Sequence, residues 1–273
     1  MIQTKKIASR ENQRLKLARK ARDGKAGDKI FIEGLRLAEE ALRSQISINE
    51  CFVSHEFGEL KRERELLFKL SVGELQIFEV SDSIFTTIAD TKNSQGIILI
   101  GDRPPNGRSL IEKTLGKQYE SHSIVIFLDE INDPANVGAI FRTAEAAGVA
   151  GVVVSNGSAD VFSPKALRAA MGAGFRVPVW ENCEVDEVLA WAKDNKLVLT
   201  AADVKADILY TKINWQIPRL LVFGSEAHGL DSKLLEKMDE VIQIPMMNGV
   251  ESLNLSVSCG ILLFEALRQN SSL

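Results

Sequence analysis

The chain has 273 residues, a net charge of −4, 45% hydrophobic residues and 26% charged residues. This balance is typical of a soluble globular protein built as one large domain or two ordinary ones. No apolar run is long enough for a membrane helix, the first residues lack the apolar core of a signal peptide, and the three cysteines lie far apart. We therefore expect a cytoplasmic protein with neither a disulfide framework nor a metal site.

Positive charge is concentrated at the start of the chain. Residues 1–25 hold nine Lys or Arg against two acidic residues, a balance of +7, so the remainder carries −11. A basic segment on an acidic body is a candidate phosphate-binding surface, and an ordinary solvated helix face explains it equally well. The candidate contacts in this segment are Arg10, Arg14, Lys16, Arg19 and Lys20.

The first hundred residues predict an α/β unit, because short apolar runs alternate with amphipathic stretches. The predicted helices cover 10–24, 35–44 and 57–70, and the predicted strands cover 29–34, 48–54, 75–80 and 95–101. Apolar periodicity is weak across 101–123, which contains two prolines and a polar stretch. We therefore predict a first domain over 1–107, a linker over 108–122 and a second domain over 123–273.

The second part alternates short Val-, Ile- and Leu-rich runs with helical stretches, as in a largely parallel sheet covered by helices. The predicted strands cover 123–131, 151–156, 176–180, 196–202, 219–224 and 240–245, and the predicted helices begin at Asp133, near 163, at 185 and near 253. Ligands bind at the carboxyl ends of such strands. Three Gly-containing loops lie there: DPANVGAIFR, FGSEAHGL and IPMMNGVESLNLS.

Several familiar sites are excluded. The glycines of MGAGFRV do not have the spacing of a dinucleotide-binding loop, and no Gly-Lys-Ser/Thr phosphate loop is present. Glu226 occupies the place that a nucleophilic serine needs in GSEAHG. With only three histidines, a metal cluster is not expected. Hydrolase and metalloenzyme functions are thus disfavoured.

The first and third loops each precede a predicted helix. Asp133 can cap the first of these helices, Pro134 fits its first turn, and Gly138 lies one turn before Arg142. The Arg142 guanidinium suits a phosphate or ribose oxygen, or a surface carboxylate. In the third loop Ser252 can cap the final helix, which places Asn254 in its first turn.

Together, Asn-x-Gly-x-x-x-Arg, Gly-x-Glu-x-x-Gly-Leu and Ser-Leu-Asn-x-Ser resemble the three motifs of the SpoU (TrmH) family, RNA ribose 2'-O-methyltransferases of the SPOUT superfamily. The resemblance covers residues 124–269. The first part, with its basic helix and IFIEGLRLAEEAL, is similar to that family's ribosomal-protein-like substrate-binding domain. The resemblance implies an α/β fold with a deep trefoil knot in the C-terminal domain, S-adenosylmethionine as cofactor, and a homodimer.

The resemblance also implies roles for individual residues. The catalytic group would be Asn136, Arg142, Glu226, Ser252 and Asn254. The cofactor would lie against Val222, Phe223, Gly224, Glu226, Gly229, Ile244, Met246 and Leu253. Arg36, Lys165 and Arg168 join the candidate RNA contacts, although a solvated helix explains Lys165 and Arg168 equally well.

Two departures from the family pattern affect the loops. Ala227 stands where many members have glycine, and Asn248 stands where the third-motif glycine usually lies. Because Asn tolerates positive φ, we expect a shifted loop and a retained site. The resemblance assigns the deprotonation of the ribose hydroxyl to the motif arginine. A guanidinium stays protonated, so we expect Arg142 to hold the nucleotide phosphate and orient the hydroxyl.

Large-subunit ribosomal RNA is the expected substrate, since the substrate-binding domain is present. Three alternatives remain open: methylation of transfer RNA, a catalytically silent RNA-binding homodimer, and an adenosine-nucleotide-binding enzyme of other chemistry. The nucleotide and its base are not indicated by the sequence.

Overall fold

The computed structural model describes residues 4–73, 75–118, 123–225 and 228–270. The chain forms two compact units, one of Met1–Pro104 with Val161–Phe175, the other of Pro105–Asp160 with Arg176–Leu273. No helix in the described part of the chain is both long and apolar enough to cross a bilayer.

The first unit has a mixed five-stranded sheet in the order β1-β4-β3-β5-β2. Its strands are β1 (Thr4–Ile7), β2 (Lys29–Glu33), β3 (Ile48–Ser54), β4 (Ile77–Val80) and β5 (Ile97–Asp102). Its helices are α1 (Gln13–Arg22), α2 (Leu35–Arg43), α3 (Lys61–Val72), α4 (Asp82–Ile88) and α7 (Pro164–Ala170). The core buries Leu15, Phe31 and Phe52 together with Phe78 and Phe85.

The second unit has a seven-stranded parallel sheet in the order β10-β12-β9-β11-β6-β7-β8. Its strands are β6 (Ile124–Leu128), β7 (Gly151–Ser155), β8 (Val179–Cys183), β9 (Val198–Ala202), β10 (Ile208–Leu209), β11 (Arg219–Phe223) and β12 (Glu240–Gln243). Its helices are α5 (Arg108–Gln118), α6 (Pro134–Ala147), α8 (Val185–Asp194), α9 (Ser232–Leu235) and α10 (Leu255–Asn270). The predicted parallel sheet is therefore confirmed.

Four short elements were not predicted from the sequence. Strand β1 buries only Ile7 and pairs with β4 at one edge of its sheet, and β10 has only two residues. Helix α4, DSIFTTI, is rich in β-branched residues of low helix propensity, yet it buries Ile84, Phe85 and Ile88. Helix α9 has only four residues. Elements this short depend on tertiary packing more than on local pattern.

Two segments differ from the predicted domain boundaries. Most of the predicted linker is helix α5, which buries Ile111 and Leu115 in the core of the second unit. Leu110 is its only other leucine or isoleucine, and three such residues in one helix are too few for a clear periodic signal. Helix α7 was expected within the second domain, but it belongs to the first unit, where Ala166 and Leu167 are buried. Nothing local in its sequence indicates which sheet it packs against.

Candidate active site

The first motif lies on α6, directly after β6. Asp133 accepts a hydrogen bond from the Ala135 N–H at 3.0 Å and Pro134 occupies the first turn, which confirms the predicted start of this helix. Gly138 is buried one turn before Arg142. Arg142 is exposed and makes no hydrogen bond or ion pair with any described residue. None of the five N–H donors of its guanidinium is therefore used by a described residue.

The second motif begins at the end of the neighbouring strand. Phe223 lies opposite Leu128, and its carbonyl accepts from the Asp129 N–H at 2.9 Å. The loop then folds back, and Gly229 N–H donates to the Ser225 carbonyl at 2.9 Å. A Cβ at position 224 would overlap the Gly229 carbonyl, so only glycine fits there. Glu226 lies outside the described residues, and its predicted role remains a prediction.

The third motif meets the first through a single side-chain amide. Asn254 Nδ2 donates to Asn136 Oδ1 at 3.0 Å. The Asn254 Oδ1 accepts from the Ser256 N–H at 2.9 Å and from the Ser256 hydroxyl at 2.6 Å. One residue therefore caps α10 and also contacts α6, against which α10 packs.

This geometry corrects the predicted cap. The final helix begins at Leu255, so Asn254 is the capping residue and Ser252 lies two positions before this cap. Ser252 is exposed and makes no hydrogen bond to a described residue. Both residues are favourable caps, and the sequence alone does not select between helix starts two residues apart.

The loop before the third motif adopts the conformation expected for it. Asn248 has φ 57° and Gly249 has φ 73°, so both lie in the left-handed region. Asn enters this region more readily than most residues, and the expectation that Asn248 tolerates it is confirmed. Because the glycine stands one position later than in the family pattern, the loop has two consecutive residues at positive φ, Asn248 and Gly249.

The predicted cofactor residues divide by burial. Val222 and Phe223 are 0% and 2% exposed, so their side chains are not accessible to a ligand. Ile244, Met246 and Leu253 are partly buried. The N–H groups of Met246 and Leu253 donate to no described residue. Unused backbone donors next to partly buried apolar side chains fit a flat, largely neutral group such as a purine ring.

Asp129 was not singled out in the sequence. It follows β6 and lines, with Ser225, His228 and Gly229 of the second-motif loop, a cavity of about 730 Å³. Burial raises the pKa of the Asp129 carboxyl, the neighbouring Glu130 raises it further, and a hydrogen bond with Ser155 opposes the rise. A carboxylate directly after a buried strand, at the ligand-binding edge of a parallel sheet, was the available signal.

Within the first unit, most of the predicted RNA contacts on or near α1 are used internally. Arg14 is ion-paired with Glu50, and its guanidinium lies 4.6 Å from the centre of the Phe78 ring. Arg10 donates to the Ser83 carbonyl at 3.1 Å, Arg19 donates to the Arg10 carbonyl at 2.6 Å, and Lys16 pairs with Glu11 at 3.0 Å. These contacts hold the helix in place, and the roles of Arg10, Arg14 and Arg19 as RNA contacts remain predictions.

The other predicted RNA contacts have different surroundings. Lys20, Arg36 and Lys165 are exposed. Arg168 is only 32% exposed, and its guanidinium lies 2.7 Å from the Asp90 carboxylate and 3.9 Å from that of Glu33. The charge of Arg168 is thus paired inside the first unit, and its role as an RNA contact remains a prediction.

Two family models match the chain. The SpoU rRNA Methylase family model covers residues 123–264. The MRM3-like substrate binding domain model covers residues 10–99.

Named relatives and solved structures match over nearly the whole length. The 23S rRNA (guanosine(2553)-2'-O)-methyltransferase RlmP of Bacillus subtilis is 32% identical over 95% of this chain and 98% of its own. A crystal structure of an AdoMet-bound rRNA methyltransferase from Sinorhizobium meliloti has a TM-score of 0.83 and 25% identity, covering 98% of this chain and 99% of that one. A crystal structure of an RNA 2'-O ribose methyltransferase has a TM-score of 0.79 and 30% identity, covering 97% and 98%.

Proposed function

The chain belongs to the SpoU rRNA Methylase family, and we propose that it methylates a ribose 2'-oxygen of large-subunit ribosomal RNA, using S-adenosylmethionine as the methyl donor. The observation that carries this proposal is the arrangement at one edge of the second sheet. There the Asn136–Asn254 hydrogen bond joins the first and third motifs, and Arg142 on the same helix as Asn136 has no partner among the described residues.

The cofactor, when bound, supplies an electrophilic methyl group on a sulfonium. We propose that backbone N–H groups of Met246 and Leu253 hold its purine, because these donors are unused within the described residues. Gly224 keeps the second-motif loop folded closely on itself. Val222 and Phe223 lie in the core and place the loop that follows them.

We propose that the Arg142 fork binds a phosphate of the target nucleotide, which fixes the ribose for attack. A planar guanidinium holds two oxygens at once, and such positioning lowers the barrier by keeping the reacting atoms in a near-attack geometry. Asn136 and Asn254 orient the same part of the nucleotide through their shared hydrogen bond. The hydroxyl proton leaves to solvent, to a substrate phosphate or to a carboxylate, of which Asp129 and Glu226 are the candidates.

A homodimer is part of the proposal. Val257 and Phe264 lie two turns apart on α10 and are 49% and 50% exposed, while Met247 and Val250 of the preceding loop are 76% and 51% exposed. Such a set of apolar side chains favours self-association. Light scattering should show a dimer for the wild type and a monomer for Phe264→Asp. A monomeric wild type at micromolar concentration would contradict this.

Large-subunit RNA is favoured over transfer RNA because a relative that matches 95% of the chain, RlmP, is named for 23S rRNA. We also propose that the target is a guanosine equivalent to that of RlmP. We further propose that the protein is cytoplasmic and that its second unit contains a trefoil knot. The test is methyl transfer from labelled S-adenosylmethionine to protein-free 23S rRNA and to bulk transfer RNA, followed by mapping of 2'-O-methyl positions.

Methylation of 23S rRNA alone is the expected result. Methylation of transfer RNA alone would refute the substrate assignment. Binding of both cofactor and RNA without transfer would identify a silent RNA-binding protein.

A further inference from the structure

The loop between α4 and β5, residues 90–95, is held by a buried carboxylate. Glu33 is 4% exposed. Its Oε2 accepts from the N–H groups of Asp90 at 3.0 Å and Thr91 at 3.2 Å, and its Oε1 accepts from the Thr91 hydroxyl at 2.8 Å. Hydrogen bonds to an ionised acceptor are stronger than neutral ones, so these contacts fix the start of the loop.

Two arginines hold the same end of the 90–95 loop from other elements. Arg22 of α1 donates to the carbonyls of Thr87 at 3.1 Å and Ala89 at 3.2 Å. Arg168 of α7 pairs with the Asp90 carboxylate at 2.7 Å. From the sequence alone, Arg22 and Arg168 could equally well belong to a basic surface.

The far end of the loop is tied to the start of α2. The Gln95 Oε1 accepts from the Leu35 N–H at 2.9 Å. Gly34, before this helix, has φ +101°, and a Cβ there would lie 3.0 Å from the same Gln95 oxygen. The loop is therefore fixed at both ends before any ligand arrives, which reduces the entropy lost when one binds.

Three side chains of the 90–95 loop are not used by these ties. Lys92 and Asn93 are exposed and make no hydrogen bond or ion pair with a described residue. The Ser94 hydroxyl is buried and has no hydrogen-bond partner. A buried polar atom without a partner is uncommon and calls for an explanation, such as a ligand or a water molecule.

These three side chains line one wall of a cavity of about 540 Å³. Phe57 and Phe85, both largely buried, contribute aromatic surface, and Leu60 at the start of α3 is 62% exposed. The cavity is within the size range of small-ligand sites. It contains none of the residues of the three motifs, so it is separate from the candidate active site.

The charges around the cavity restrict what can enter it. Glu56, Glu59, Glu63 and Asp82 line it as well, and Lys92 is the one lysine or arginine among its described lining residues. Several phosphates would be repelled by the carboxylates. A single phosphate fits at Lys92, and a neutral heterocycle with N–H groups fits beside carboxylate and amide acceptors.

We propose that this cavity binds one unpaired nucleotide of the RNA substrate as a recognition contact, with its phosphate at Lys92 and its base against Leu60 and Asn93. Unpaired RNA bases are recognised by apolar stacking and by hydrogen bonds to their edges, and this cavity offers both. The inference rests on the proposed function, because it presumes an RNA substrate.

The test measures binding of protein-free 23S rRNA to the full-length variants Lys92→Ala, Asn93→Ala and Ser94→Ala over a range of KCl concentrations. Lys25→Ala is the matched control, because Lys25 is an exposed lysine of the same unit that does not line the cavity. Lys92→Ala should lower affinity about fivefold to tenfold and reduce the slope of log K against log salt by about 0.7 to 0.9.

Asn93→Ala gives the sharpest readout. Asn93 is exposed and has no described hydrogen-bond partner, so its removal should leave the unfolding temperature unchanged while RNA binds about fivefold to tenfold more weakly with an unchanged salt slope. Ser94→Ala removes a buried hydroxyl without a partner and should bind RNA normally. Normal RNA binding by Asn93→Ala would remove the proposed base contact.

The outcomes separate this inference from the proposed function. Wild-type protein that binds no RNA, or transfers no methyl group to it, contradicts the proposed function. Wild-type RNA binding with normal affinities for the Lys92 and Asn93 variants overturns the inference alone. So does an equal loss in Lys25→Ala, which would indicate a diffuse electrostatic surface. Binding of a polylysine peptide can be measured with the same variants. If they weaken peptide binding but leave RNA binding unchanged, the cavity binds a basic protein segment, and the inference is also overturned.

Discussion

Arginines on α1 and on α6 have opposite surroundings. Arg14 on α1 is 46% exposed, yet it is paired with Glu50 and stacked on Phe78. Arg142 on α6 is exposed and has no partner among the described residues. Exposure alone would assign both to an RNA surface. The pairing state distinguishes a side chain that stabilises the fold from one that is available to a substrate.

The same distinction applies to whole segments. The charge of +7 in residues 1–25 is the largest basic concentration in the sequence, but much of it ties α1 to the first unit. The 90–95 loop, with a single lysine, leaves that lysine free of described partners. A count of charges therefore overestimates α1 and underestimates the 90–95 loop as candidate RNA contacts.

The largest expected effect is at Arg142. Arg142→Ala should reduce methyl transfer about 10²- to 10³-fold, because it removes donors that act on the substrate. Arg142→Lys should recover little, since lysine cannot form the planar fork. Single-turnover kinetics, cofactor binding and the unfolding temperature should all be measured, with the last two unchanged. Near-normal turnover of Arg142→Lys would show that the fork is not needed.

The next largest effect is expected at Arg14 on α1, and it concerns stability. Arg14→Ala should lower the free energy of unfolding by about 2 kcal/mol, because it leaves the Glu50 carboxylate, whose side chain is 10% exposed, without its cation. Lys20→Ala on the same helix removes the same charge from an exposed position and should leave stability unchanged. Urea unfolding of both variants checks this. If Arg14→Ala weakened RNA binding without loss of stability, the assignment of α1 as a structural helix would be wrong.

Asn254 allows stability and activity to be separated. Asn254→Ala should lower the free energy of unfolding by about 1 kcal/mol, through loss of the cap of α10. Asn254→Asp retains a favourable cap but cannot donate to the Asn136 Oδ1. It should keep the unfolding temperature while methyl transfer falls. Equal activity of the Asp variant and the wild type would remove the shared hydrogen bond from the catalytic proposal.

The smallest effect is expected at Asp129. Its pKa is raised from 3.8, chiefly by burial, so the ionised form destabilises the folded protein. Below pH 3.8, the unfolded value, the neutral carboxyl makes its full contribution to the free energy of unfolding. This contribution is lost as the pH rises through the raised pKa of the folded protein. Asp129→Asn should therefore unfold at a higher temperature than the wild type at pH 7, and the difference should vanish below about pH 4. A difference independent of pH would contradict this.

Local signals in the sequence were sufficient for much of the second unit. The cap at Asp133, the apolar strands and the positive φ of Asn248 follow from single-residue preferences that the fold does not override. They were insufficient where a residue's partner is distant in sequence. Arg14 is 36 residues from Glu50, and no local pattern shows that their charges meet. The start of α10 was misplaced because Asn254 is selected as its cap by contact with Asn136.

That last contact bridges 118 positions of the chain. Without α10, Asn136 would lose the amide that it accepts from, and the third motif would lose its contact with the first. The integrity of the candidate active site therefore depends on the last described helix of the chain.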